Sequence, residues 1–335
     1  VAVSGARAAD AVIIPEPEVV EYVRVCDAAG TGYFYIPGTE TCLKIGGYVR
    51  FQIDHVSYND HEDYDDEYGD DAWADFTTKL SLKVSSWTDS EIGAVETFYE
   101  AVSSDGGSLS MDSAYLSFAG LKMGYFGGFL DNGINGETDT SLLNDKFNTI
   151  QYTGTAGAVS FGVAIDQIHD TVWNNWEDEM KFGITGMVGF SAGAVDATIT
   201  GFYDLYTEGH GVIGRVSTDL GMGTLQARAI WQSNDWTGYG GQFWFEDYDF
   251  DVRQWSAEVS YAANVSDKLT LTPGFSYHRS YGDDTVWIAG LTADYAITDT
   301  LAVKANVEYL DYSDDWDSDD DWSAWSSFLR FQASF

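Results

Sequence analysis

Long hydrophobic runs are missing from this 335-residue sequence. A membrane-crossing helix needs about 18–20 apolar residues in a row, and no stretch comes near that, which excludes a helical membrane protein. Positive charge is scarce as well. Sixteen Lys and Arg stand against 54 Asp and Glu, a formal net charge of −38. That balance argues against nucleic acid, whose phosphates are held by basic side chains. It suits a surface bathed in salt or divalent cations, a property an acidic salt-adapted enzyme would share. Only two cysteines occur, Cys26 and Cys42. No third and fourth ligand lies nearby to make a metal site of them. Given export, the expected outcome is a disulfide, contributing about 3 kcal/mol in the chain-entropy model. Catalytic signatures are missing too: no HExxH, GxSxG or phosphate-binding glycine loop is present. The five histidines (His55, His61, His169, His210 and His278) are scattered. His278 has Ser276 and Ser280 beside it, but a serine near a histidine is common by chance, and the chain is not expected to be an enzyme.

What the sequence does have is aromatic and glycine content: 12 Trp, 21 Tyr, 19 Phe and 35 Gly beside four Pro. Aromatics suit the girdles of a membrane barrel, and glycine suits crowded strands and tight turns. The final stretch, WSSFLRFQASF, alternates strictly. Leu329, Phe331, Ala333 and Phe335 share one face, and Phe328, Arg330, Gln332 and Ser334 share the other. Such a strand is costly to expose in water, whereas a barrel wall gives it neighbours on both edges and lipid on its apolar face. The same period of two recurs over residues 43–54, 74–84, 159–166, 195–204, 225–232, 254–261 and 301–309. The strand after Thr285 is less regular and is expected to turn Trp287 toward the interior.

The connections carry the topology. Short turns are expected at 86–90, 119–120, 154–157, 191–193, 220–223, 264–268 and 297–300. Longer segments alternate with them at 55–71, 102–108, 127–147, 169–179, 207–211, 234–251, 278–284 and 311–321. Seven turns and eight loops make sixteen strands, with both termini on the turn side. This predicts an all-β, 16-stranded antiparallel transmembrane β-barrel with short periplasmic turns and long outer loops. A soluble sandwich gives no reason for the alternation. Ahead of the barrel, Ala6-Arg7-Ala8 has small residues where a secretory cleavage site needs them. Residues 1–8 are therefore read as the tail of a signal peptide, 9–42 as a disulfide-stapled periplasmic-side segment, and 43–335 as the barrel.

Residues 16–50, and most specifically VRVCDAAGTGYFYIPGTETCL, resemble the start of mature outer-membrane porins of Rhizobiales such as Brucella. The likeness continues more loosely to Phe335. It implies a sixteen-stranded general diffusion porin of the outer membrane, usually a homotrimer, with its third loop folded into the lumen. Phe335 resembles the carboxy-terminal signal read by the barrel assembly machinery. Lipid and lipopolysaccharide are the implied surroundings.

In a pore the working parts are charges and apertures. The third long segment, 127–147, is the candidate constriction. It carries apolar Phe129, Leu130, Ile134, Leu142 and Leu143 to pack on a wall, and Asp131, Glu137, Asp139 and Asp145 to face an aperture. The alternative is an outer loop lying on the rim. Candidate lumen bases are Lys44, Arg50, Lys79, Lys83, Lys122, Lys181, Arg215, Arg228, Lys304 and Arg330. Arg50, Lys79, Lys83, Lys122 and Arg228 are singled out as the basic wall. Facing acids and bases would set a transverse field; alternatively each base pairs with a lumen acid such as Asp54, Asp75, Glu96, Asp196 or Glu258. No cofactor is expected. The acidic runs 60–71 and 311–322, including Asp65, Asp66, Asp319 and Asp320, offer carboxylates for calcium or magnesium, but they lack EF-hand spacing and also read as solvated acid. Their field predicts a weak cation preference. The alternatives are a substrate-selective channel, with Tyr48, Trp73, Phe98 and Trp287 assigned inward as a sugar path, and a secreted acidic glycan-binding or adhesive β-protein.

Overall fold

The computed structural model describes residues 24–59, 72–139, 143, 145–168, 181–233, 237–240, 243–245, 248–250, 253–313 and 321–335. Sixteen strands form the wall. The first eight are β1 (Cys42–Asn59), β2 (Ala72–Thr88), β3 (Val95–Ser104), β4 (Ser110–Phe118), β5 (Leu121–Gly127), β6 (Lys146–Ala156), β7 (Val159–Ile168) and β8 (Lys181–Ala192). The second eight are β9 (Val195–Asp204), β10 (His210–Leu220), β11 (Gly223–Gln232), β12 (Arg253–Asn264), β13 (Leu269–Ser280), β14 (Thr285–Ala296), β15 (Leu301–Ser313) and β16 (Trp322–Ser334). Each pairs antiparallel with the next. β16 then pairs with β1 from Ser323↔Asn59 to Ser334↔Tyr48, which closes the barrel and leaves no edge. Among the described residues no helix is long and apolar enough to cross a membrane.

Closure runs to Phe335, whose backbone exchanges two hydrogen bonds of 3.1 Å with Gly47. The terminal ring crosses Gly47, and a side chain there would meet both that ring and the Ser81 carbonyl. The two-residue turn Ala119–Gly120 has φ of +49° and +83°. Positive φ at both positions is the hairpin geometry whose twist matches that of the flanking strands.

Alternation works as the sequence predicts. Outward positions such as Val49, Phe51, Phe161, Val163, Ile199, Leu329 and Phe331 are exposed, as an apolar band facing lipid must be. An outward aromatic belt crosses the loop-side end of the wall. Trp255 and Tyr277 lie 5.1 Å apart, and Trp287, Tyr309 and Trp325 follow at 5.3 and 5.1 Å. The belt stops at Trp325. The neighbouring outward positions on β1 and β2 are His55, Ser57, Ala72 and Ala74.

Trp287 belongs to that belt, which corrects its expected inward assignment. The inward residues of β14 are Val286, Ile288, Gly290 and Thr292, and Val286 and Ile288 are buried with Val56, Leu310, Trp322 and Ala324. An apolar inner cluster reverses the usual face rule, and polarity alone therefore misassigns this strand. The turn expected at 86–90 begins later, because Ser86 to Thr88 still pair with β3. Loop length also alternates less strictly than expected: 105–109 and 281–284 are as short as turns.

Before the barrel, the short strand Phe34–Tyr35 pairs with the start of β1, and Cys26 is disulfide-bonded to Cys42. Lys44 reaches back to donate to the Thr31 carbonyl at 3.1 Å. The expected signal tail, residues 1–8, the segment 9–23, His61, His169, Leu142 and the candidate cation ligands Asp65, Asp66, Asp319 and Asp320 lie outside the described residues.

Candidate pore constriction

The loop 128–145 leaves β5 and returns in β6, its root closed by Gly128 N–H donating to Asp145 O at 2.9 Å. Beyond the root it crosses the interior. Arg215 Nε on β10 donates to Gly133 O at 2.8 Å, and Arg228 Nη1 on β11 donates to Asn132 O at 3.0 Å. Asn132 donates to Thr198 Oγ1 on β9, and the Asn135 N–H donates to Gln226 Oε1. At the tip, Glu137 pairs with Lys304 on β15 at 2.7 Å and with Arg330 on β16 at 3.6 Å. Thr138 is buried in a notch where Gly274 and Gly290 carry no side chain to obstruct it. Leu130 and Leu143 pack with inward Phe147, Ile168, Phe202, Ile213 and Ile230, and Phe129 lies over Gly162. Phe129, Leu130 and Leu143, three of the apolar residues that the sequence offers for wall packing, thus do pack, and the loop is an inward one.

The four acids of this loop do not form one row. Asp131 is exposed, near the root. Glu137 is committed to its two bases. Asp139 folds back to accept the Ile134 N–H at 3.0 Å. Burial raises its pKa, with the neighbouring Arg228 opposing. Asp145, at the return, is likewise raised by burial and then by Asp131.

The bases also divide. Arg228 is fully buried and ion-paired with Glu258 at 2.6 Å, their side chains 1% and 0% exposed. Lys83 is 3.5 Å from Glu100. Arg50 donates twice to Gln332 Oε1, at 3.1 and 3.0 Å, and lies over the Tyr48 ring, with no carboxylate partner among the described residues. Lys79 is register-paired with Arg50 across β1 and β2 and has no ion pair among the described residues either. Lys122 Nζ sits 4.0 and 3.9 Å from the ring centroids of Tyr115 and Phe126, and Phe98 stacks on Tyr115. Lys44, Lys181, Arg215, Lys304 and Arg330 occupy inward positions as expected.

A second segment enters the interior. In the connection between β11 and β12, Gly238 N–H donates to Asp204 at 2.9 Å, and the Tyr239 hydroxyl donates to Asp166 at 2.9 Å. Gly240 forms a backbone bridge with Leu143 of the crossing loop. Burial, then the carboxylates of Asp166 and Asp204, push the Tyr239 phenol well up, which keeps it a donor.

The interior is therefore eccentric. Inward residues of β9 to β14 such as Thr200, Ser256, Ser276 and His278 are 0–1% exposed. On β2 and β3, inward Asp75 and Glu96 stay exposed and Lys83 keeps 43% of its side chain in solvent. The solvent-lined side is the one that carries Arg50, Lys79 and Lys122.

Asn132, Gly133, Asn135, Thr138, Asp166, Asp204 and Tyr239 were not singled out by sequence. One signal for them existed. Inward-facing Gly162, Gly183, Gly274 and Gly290 mark close approach of another segment to the wall, without saying which segment comes.

A family model described as "Porin subfamily" matches residues 10–330 of the chain. The putative outer membrane protein y4fJ of Sinorhizobium fredii is 36% identical, covering 100% of this chain and 95% of its own length. Porin Omp2b of Brucella suis is 28% identical, over 100% of this chain and 96% of its own. Among solved structures, the outer membrane channel DcaP of Acinetobacter baumannii superposes with a TM-score of 0.70 at 16% identity, covering 90% of this chain and 99% of that one. This last likeness concerns the fold.

Proposed function

The chain belongs to the porin subfamily, an outer-membrane channel rather than an enzyme, and from that premise we propose that it is a general diffusion channel for small hydrophilic solutes, weakly cation-selective. The observation that carries this reading is the eccentric interior. One inner wall is buried beneath a crossing loop, and the other is left wet and lined by charge. A water-filled path along β1 to β5 needs no binding step, and the solute gradient drives flux. Asp131 on the loop side, with Arg50 and Lys79 on β1 and β2, which have no ion pair among the described residues, supply a transverse field that orients polar solutes. The net charge of −38 concentrates cations at the mouth and gives the preference its sign.

Turns face the periplasm in this reading, with both termini on that side. The protomers form a trimer through the face where the aromatic belt is interrupted, since His55, Ser57, Ala72 and Ala74 suit close protein approach better than a lipid interface. Residues 1–8 remain proposed as a signal tail, Phe335 as the assembly signal, and the acidic outer runs as solvated loops with calcium or magnesium as an occasional bridge.

A substrate-selective reading draws on one observation: Tyr48, Phe98 and Tyr115 lie inward on the wet wall without being buried. Such rings stack on sugar faces.

Single-channel currents from refolded protein in a planar bilayer under a KCl gradient test the proposal. Steps in multiples of three and a cation-side reversal potential are expected. Folded, inserted protein without conductance would remove the open-channel reading, and block by a saturating sugar would favour the selective one.

A further inference from the structure

The crossing loop is held to the wall directly at several positions and, at Leu143, through a second segment. The outgoing arm is fixed to β9, β10 and β11 by Asn132, Gly133 and Asn135, and the tip by Lys304 and Arg330. For the return arm, the described long-range contacts are those of Leu143, which joins the apolar cluster around Tyr239 and bridges Gly240.

We propose that residues 237–240, between β11 and β12, form a latch on the constriction loop, with Tyr239 as its positioning residue. The proposal rests on the channel reading above. Tyr239 is 0% exposed. Its ring occupies the space left by the missing side chain of Gly183 on β8, and stands 5.3 Å from the Phe147 ring and 5.0 Å from the Phe202 ring. Its hydroxyl completes a three-donor shell on buried Asp166, whose other donors are Thr149 on β6, at 2.7 Å, and Thr185 on β8, at 2.9 Å. A buried carboxylate with its donors in place is favourable, and one that has lost a donor is costly. One residue earlier, Gly238 is tied to Asp204, which also accepts from the Tyr206 and Thr207 N–H groups. The latch therefore seats at two carboxylates, Asp166 on β7 and Asp204 at the end of β9, with β8 between them. Seated, it places Gly240 against Leu143 and closes the interior over β7 to β9. Unseated, it releases Leu143 from the Tyr239 cluster and from its bridge to Gly240, and the packing of the crossing loop on that wall loosens.

The test compares wild type with Tyr239→Phe, which keeps the ring and removes the donor, and Tyr239→Ala, which removes both. Open-channel current noise is expected to rise several-fold in the first and more in the second, and the closure voltage to fall. The chain has no free cysteine among the described residues, so a Leu143→Cys/Gly240→Cys pair reports the bridge directly. It should cross-link under mild oxidation, quiet the Tyr239→Phe channel, and release that noise on reduction, while reduction leaves the parent channels unchanged. Absence of the cross-link in a conducting protein overturns the latch. A cross-link with Tyr239→Phe and Tyr239→Ala as quiet as wild type also overturns it, because the contact then positions nothing. If neither Tyr239 variant folds, the cysteine pair decides alone: a cross-linked channel quieter than its reduced form supports the latch, and equal noise removes it. A silent wild type would remove the channel reading itself, a separate outcome.

Discussion

Glu137 and Lys304 meet at 2.7 Å, joining the tip of a loop rooted at β5 and β6 to a strand nine positions further along the barrel wall. Arg330 approaches the same carboxylate at 3.6 Å. Both partners of the shorter contact are about a quarter exposed. The pair therefore falls near the upper end of the surface range, about 1 kcal/mol. Its larger effect is on charge. Glu137→Gln removes one negative group and leaves two bases with one fewer partner, and the reversal potential in a KCl gradient should move toward anions. A potential unchanged from wild type would show that the tip does not face the ion path.

Arg50 and Lys79 offer the complementary test. They lie side by side across β1 and β2, on the wet wall, without carboxylate partners among the described residues. Replacing either by Ala should increase cation preference and leave thermal stability nearly unaltered, since neither change strands a buried charge. The double replacement should shift the reversal potential further in the same direction. An anion-ward shift would mean that these side chains do not set the local field.

Arg228 was grouped with them by sequence, and the structure explains why the grouping misleads. A strand shows which face a base occupies, because the period is two, but it does not show what lies on that face. Arg50 and Arg228 both alternate inward. Only the folded loop, reaching Arg228 through the Asn132 carbonyl, separates a buried structural base from a wet one. The barrel and strand number were legible because each rests on local periodicity or connection length, and the inward loop because its apolar residues and the family resemblance both pointed to it. Trp287 and Tyr239 were not. The first depends on an inner cluster that reverses the usual polarity of the faces, the second on a contact between segments far apart in sequence.

Arg228→Ala should accordingly behave as a stability mutation. Its removal leaves Glu258 buried and charged, a loss of about 3–5 kcal/mol for a broken buried pair. The double change Arg228→Met/Glu258→Leu leaves no stranded charge and should recover most of that loss. Urea unfolding in detergent would read both. A single variant as stable as wild type would mean that Glu258 finds another donor.

Removing the disulfide separates stability from conduction. Cys26→Ser/Cys42→Ser lifts a constraint across 16 positions, worth about 3 kcal/mol if the chain-entropy account holds. The bond ties the segment before β1 to the barrel and touches none of the crossing-loop contacts. Denaturation midpoints should fall and the ion preference stay as it was. A changed reversal potential would place this segment in the ion path.

The pH dependence follows from Asp139 and Asp145. Burial raises both above the ordinary carboxylate value of 3.8. A raised folded-state pKa means that the folded loop binds these protons more tightly than the unfolded chain does. The associated stability is fully present below 3.8 and is lost as pH rises through the folded values. When ionised, both groups add negative charge to the loop. On acidification they should protonate before ordinary carboxylates do, and cation preference should begin to weaken above the range where exposed Asp titrates. In Asp139→Asn/Asp145→Asn that early limb should disappear while the lower one persists. A reversal-potential titration from neutral pH down to about 4, spanning the usual Asp and Glu values, distinguishes the two limbs. Identical curves for wild type and the double variant would mean that neither carboxylate contributes to the field felt by the permeating ion.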